Sequence, residues 1–165
     1  MTGVHVAPAR HCATRRIIGA ALAVAALDLF YVLVRWVWLE HALTVQELAQ
    51  SIATGLLGTA AYRGGVPTAV LGLSLHVVIA FGWTLLFFLL TARVAVLRKL
   101  VATPGGRILA GLAWGPIIWL AMDIVVLPLS QARPTPTTSP TFYINLMQHA
   151  LLIGLPMSWM LGGER

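Results

Sequence analysis

The chain has 165 residues, 59% of them hydrophobic and only 10% charged, with a mean hydropathy of +0.87. That balance lies outside the range of a soluble globular domain and defines a polytopic membrane protein. The net charge of +6 comes from basic residues scattered between apolar runs, which excludes a nucleic-acid surface and makes them topology signals, and a single cysteine, Cys12, excludes an intramolecular disulfide or a cysteine-rich metal site.

Residues 1–16 hold His5, Arg10, His11, Cys12, Arg15 and Arg16 without apolar periodicity and read as a cytoplasmic tail. Arg15 and Arg16 precede an apolar run, as in a secretory or twin-arginine signal, but that run carries an acid at its centre and further spans follow. The first span is therefore read as Ile17 to Leu39, anchored by Trp36 and Trp38. Helical spacing puts Ala21, Ala25, Asp28, Tyr31 and Arg35 on one stripe, which should face the bundle; Arg35 could snorkel outward, reach back to Asp28, or cross to another helix.

Residues 40–65 should contain an interfacial helix outside the spans. Thr44 and Glu47 make a capping box, and Val45, Leu48, Ile52 and Leu56 recur at helical spacing, so a helix over about 44–60 should lie on the membrane surface. A short re-entrant element over the outer mouth of the bundle is the alternative. The second span opens at Pro67 and runs to Thr91, with Gly72 and His76 one turn apart. Arg93, Arg98, Lys99 and Arg107 make the basic connection that follows.

The third span, Ile108 to Ser130, has Asp123 as its only charge, a Gly111-x-x-x-Gly115 pair for close backbone approach, and Pro116, which frees the carbonyl of Leu112. The loop Gln131 to Thr141, rich in Pro and Thr, should be extended and solvated with no role of its own. The fourth span, Phe142 to Leu161, places Asn145, Gln148 and His149 on one face, and residues 162–165 close the chain. Inside segments hold Arg10, Arg15, Arg16, Arg93, Arg98, Lys99, Arg107 and Arg165, and outside loops hold Arg63 and Arg133, so both termini should be cytoplasmic.

This topology places Asp28 near mid-membrane, His76, Asp123, Gln148 and His149 roughly 4 to 6 Å outward, and Arg35 and Asn145 roughly 10 Å outward. An all-α, four-helix transmembrane bundle with one outer interfacial helix and a shared polar layer is the expected fold. Ala26-Leu27-Asp28-Leu29 resembles Ala121-Met122-Asp123-Ile124, and each acid-bearing span precedes one with a histidine, which suggests an internal repeat. Four chemistries compete for the layer: hydrogen bonds that fix packing, a proton-titrating or small-ligand cavity, a haem or metal between His76 and His149, and a transport path formed by a dimer, the simplest homo-oligomer. No cofactor is required by the sequence, and no motif for hydrolysis, nucleotide binding or two-metal chemistry occurs in it. The lipid bilayer is the one partner that follows directly.

The run of Gly72 to His76, then Leu127-Pro128-Leu129, Pro140, Tyr143, Asn145 and His149, resembles small bacterial inner-membrane proteins of the YagU-like kind, over the second to fourth spans. The resemblance implies a bacterial inner-membrane location and a stress-related role. It carries over no catalytic residue.

Overall fold

A computed structural model describes residues 7–163 apart from residue 134, with side chains from residue 13 onward. Four helices are long and apolar enough to cross a membrane: Ala13–Leu39, Gly65–Arg93, Pro104–Val126 and Pro140–Leu161. The protein is an integral membrane, all-α bundle, and no strand occurs among the described residues. Within each span's most apolar window only 11% to 39% of residues are buried, so most of the apolar surface faces outward, as a lipid-facing bundle requires.

Helix α1, Ala7–Val32, continues as a π-helical stretch, Leu33–Leu39. It already includes residues 7–16, read above as tail; residues 1–6 and 164–165 lie outside the described residues. Helix α2 is Val45–Leu57, and α3, Gly65–Arg93, is the second span. The short α4, Ala95–Ala102, leads into α5, Pro104–Ala121, and a π-helical stretch Met122–Val126. The third span starts a turn earlier than the hydropathy pattern indicates because the Thr103 hydroxyl accepts the Gly106 N–H and Pro104 occupies the first turn. The fourth span is α6, Pro140–Gln148, a π-helical stretch His149–Gly154, and α7, Leu155–Leu161.

Small residues set how closely these helices meet. A Cβ on Gly115 would overlap the backbone of His149 and Ala150, one on Gly111 that of Gly154 and Leu155, and one on Gly154 that of Gly111 and Gly115. The third and fourth spans thus cross backbone against backbone, with no side chain between them. Pro116 sits inside α5, which stays α-helical through it. The core beside this seam joins Ala20 and Val24 of α1 to Phe87, Ile118, Ile153, Met157 and Leu161.

Helix α2 is more than a surface helix. Its buried face, Leu48, Ala49, Gln50 and Ala53, lies on the first turns of α3. The carbonyl of Ala49 fills the space left by Gly72, and Gln50 Nε2 donates to the Gly65 carbonyl at 2.9 Å and to Thr68 Oγ1 at 3.0 Å. The room at Gly72 is thus taken up by the backbone of α2. The loop after the third span is also fastened, because Gln131 donates from its backbone to Gly55 O and from its side chain to Leu56 O. We call this face, with α2 and the 131–141 loop, the loop side, and the opposite one the terminus side. There Arg16 donates to Met160 O and Gly162 O, and the Arg107 guanidinium lies 5.5 Å from the centre of the Trp159 ring.

The capping box of α2 is complete: Glu47 N–H donates to Thr44 Oγ1, and the Glu47 carboxylate accepts from Thr44 N–H and Oγ1–H, each at 2.8 Å. Those bonds, the backbone one foremost, hold the Glu47 carboxyl below its ordinary pKa. A depressed carboxyl stabilises the fold above its unfolded pKa and loses that contribution as pH falls through the folded value. Acidification below the ordinary carboxylate range should therefore fray the start of α2. Hydrogen-exchange protection at Val45 to Leu48, relative to intrinsic exchange at the same pH, should fall at acid pH in the parent, whereas in Glu47→Gln it should be low and flat across the same range.

Candidate functional site

The polar side chains of the spans do not form one uniform layer. They divide into a central cluster, a cross-tie on its loop side, and a separate loop anchor.

The central cluster is built on Asp28, one turn above Ala25 and two above Ala21, small residues of α1. Gln148 Nε2–H donates to Asp28 Oδ1 at 2.9 Å, and His76 Nδ1 lies 3.9 Å from Asp28 Oδ2. His76 Nε2 is 2.9 Å from the carbonyl of Ala25. A carbonyl only accepts, so Nε2 carries a hydrogen and Nδ1 is the nitrogen left facing the carboxylate. His149 is fixed the same way from its other nitrogen: Nδ1 donates to Asn145 O, one turn back, at 2.9 Å, which leaves Nε2 uncommitted. Its ring packs against Trp119, with centres 5.0 Å apart, and Trp119 in turn meets Phe142.

These groups border a cavity of about 240 Å³ between the spans. Asp28, His76, Asn145, Gln148 and His149 give it a polar side, and Val24, Ile79, Ala80, Trp83, Ile153 and Met157 give it an apolar one. A second cavity of about 390 Å³, between the end of the first span and α2, shares Asp28, Val32, Ile52 and His76 with the first. A third, of about 650 Å³, runs between α2 and the third span to Arg133 and shares Ile52, Ile79, Trp119, Met122 and Leu127. Ile52 lines all three. The second span's histidine and the first span's acid thus adjoin a vestibule that α2 covers.

Arg35 makes the cross-tie. Its guanidinium donates to Tyr31 Oη, Asn145 Oδ1 and Thr141 Oγ1, each at 3.2 Å, pairs with Glu40 at 2.8 Å, and lies 4.8 Å from the Trp36 ring centre. Of the three courses open to it from sequence, it crosses to the fourth span rather than reaching back to Asp28.

Asp123 stands apart. It is buried at 3% exposure, and its Oδ1 accepts the backbone N–H of Thr135 at 2.9 Å. The two acids of the suggested repeat hence differ: Asp28 meets side chains of two other spans, and Asp123 holds the loop that follows its own span. Thr135 was hidden from sequence reasoning because the contact is made by its backbone. Ile52, Trp83 and Met157 carry no polar signal either, and only packing reveals them as walls.

Three of the chain's wide turns coincide with this chemistry. Arg35, Asp123 and His149 each lie in one of the π-helical stretches, where Glu40 N–H reaches Arg35 O and Leu127 N–H reaches Met122 O, both at 2.8 Å. Such wide turns are enriched at functional sites. No cluster of three or more His, Cys, Asp or Glu side chains suited to a metal ion occurs among the described residues.

The fold and site define an integral membrane protein with a polar cavity inside a four-span bundle. No protein-family model matches the chain, and neither a curated protein nor a solved structure matches it.

Proposed function

We propose that the protein is a non-enzymatic membrane protein whose central cavity takes up and releases a proton at the Asp28–His76 pair. The observation that carries this reading is the tautomer of His76. With Nε2–H given to the Ala25 carbonyl, a neutral ring turns its Nδ1 lone pair toward the Asp28 carboxylate. Two acceptors facing each other in an apolar setting repel, and one proton between them turns that repulsion into attraction. Gln148 holds Asp28 Oδ1, which keeps Oδ2 turned to the histidine. The vestibule beneath α2 supplies a route for protons from the loop side.

The basic residues support an orientation with both termini in the cytoplasm, and the YagU-like resemblance supports a bacterial inner membrane. In that setting the proton route opens to the outside. Infrared difference spectroscopy across a pH titration tests the reading. We expect a protonated-carboxyl band that rises as pH falls, disappears in Asp28→Asn and shifts in His76→Gln. A spectrum with no titrating carboxyl, or one unchanged in Asp28→Asn, overturns it.

A further inference from the structure

Asp28 is the single formally charged side chain bordering the central cavity and the vestibule, and among the described residues no Lys or Arg lines either. The groups that face it are few. His76 comes from α3, and His149, Gln148 and Asn145 come from the fourth span. On its own helix Tyr31 and Arg35 follow, but the Arg35 charge is matched by Glu40. The third span presents Ile118, Trp119 and Met122, its acid being taken by Thr135, and α2 presents Ser51 and Ile52. When both histidines are neutral, the cavity therefore holds one unbalanced negative charge.

A charge in such a place demands a counter-charge. The walls decide what kind. A hard metal cation needs a cage of six or more oxygens, and most of this lining is hydrocarbon and indole. Trp83 and Trp119 line the cavity with surfaces that attract soft organic cations, and Trp36 flanks the vestibule. The volume suits a ligand smaller than most drugs.

We propose that the central cavity binds a small lipophilic monocation, an amine or quaternary ammonium with an apolar or aromatic group, in place of the proton at Asp28. This rests on the proton-binding reading above. The cation sets its charge against the Asp28 carboxylate and its apolar part against Trp83, Ile153 and Met157. Because cation and proton compete for one carboxylate, binding of one expels the other. By linkage, apparent affinity rises with pH, about tenfold per pH unit where the pair is protonated, and levels off above that range. Ile52 is shared by the cavity and both its neighbours.

Benzyltrimethylammonium is the probe, measured by calorimetry and tryptophan fluorescence on the full chain in lipid nanodiscs, with 2,2-dimethylpropylbenzene as its uncharged twin. The expected result is saturable binding of the cation with release of about one proton in the pH range where the carboxyl titrates, and binding of the neutral twin at least about tenfold weaker. Asp28→Asn should lose the cation, Asp28→Glu should keep it, and Trp83→Leu should weaken it several-fold. Equal binding of the twin, or cation binding unchanged in Asp28→Asn, overturns the inference. So does the absence of cation binding while the infrared carboxyl band titrates normally, which leaves the proton reading standing. Cation binding without proton release, together with no titrating carboxyl, removes both.

Discussion

Gly154→Val should severely destabilise the bundle. The side chain has nowhere to go: a Cβ at Gly154 falls on the Gly111 carbonyl and within 2.6 Å of the Gly115 nitrogen, and both are backbone atoms inside a helix. A clash with a flexible side chain relaxes by a rotamer change, but one with helical backbone moves a whole span. Forcing extra methyl groups into a packed seam typically costs about 1 to 3 kcal/mol, and this contact, rigid on both sides, belongs at or above the top of that range. Stabilities of single domains are only about 5 to 15 kcal/mol. Thermal unfolding in detergent should show a large loss of stability or an aggregated product, and Gly115→Val should behave alike. Gly82→Ala is the control, since nothing lies within 4 Å of the added methyl. A Gly154→Val protein that melts like the parent would show that the third and fourth spans do not cross this closely.

Arg35→Leu should separate the loop-side ends of the first and fourth spans. The arginine spends its donors on Tyr31 of its own helix and on Asn145 and Thr141 of the other, at a side-chain exposure of 14%. Hydrogen bonds to a charged group contribute about 1.5 to 3 kcal/mol, and removing the donor leaves the Asn145 side-chain oxygen without its partner beside the cavity. We expect a loss of about 2 to 3 kcal/mol by the same measure. The ion pair itself is a minor part, since Glu40 is 40% exposed; Glu40→Gln should cost less than about 1 kcal/mol. Arg35→Lys should recover only a fraction, because an ammonium cannot hold several acceptors in a planar fork. If Arg35→Leu and Glu40→Gln proved equally mild, the cross-tie would be a surface ion pair and nothing more.

The residues whose chemistry is unusual in a membrane were the legible ones. An acid, two histidines and an amide within apolar runs stand out because hydrocarbon penalises them, and Asp28, His76, Gln148 and His149 do border one cavity. Helical spacing put Asn145, Gln148 and His149 on a common face, and glycine spacing pointed to Gly111 and Gly115 without naming Gly154 as what they meet. Depth alone, however, does not give azimuth. Asp123 falls at the depth of His149 in the linear count, yet it turns to the Thr135 backbone, because a π-helical stretch alters the helical phase just where it sits. The docking of α2 was likewise beyond reach: its amphipathic face suits a bilayer surface and a neighbouring helix equally, and the choice was made by a missing Cβ at Gly72. The loop after the third span reads as inert from its prolines and threonines, yet it is tied through the backbone N–H groups of Gln131 and Thr135, common to every residue type but proline, and through the Gln131 side chain.

The wide turn at His149–Gly154 gives the fourth span two different phases. At its lower end Gly154 and Leu155 are keyed to Gly111 of the third span; at its upper end the His149 and Ala150 backbone is keyed to Gly115, Gln148 donates to Asp28 and His149 borders the cavity. An uninterrupted α-helix advances about 100° per residue, so a helix one residue shorter here would keep the Gly111 contact and swing the upper half, its contact with Gly115 included, away from the acid by roughly that angle. The extra residue acts as a vernier between two fixed scales. It lets Gly111 and Gly115 both close on the fourth span while the polar face still meets Asp28, so packing and site are set together by the same turn.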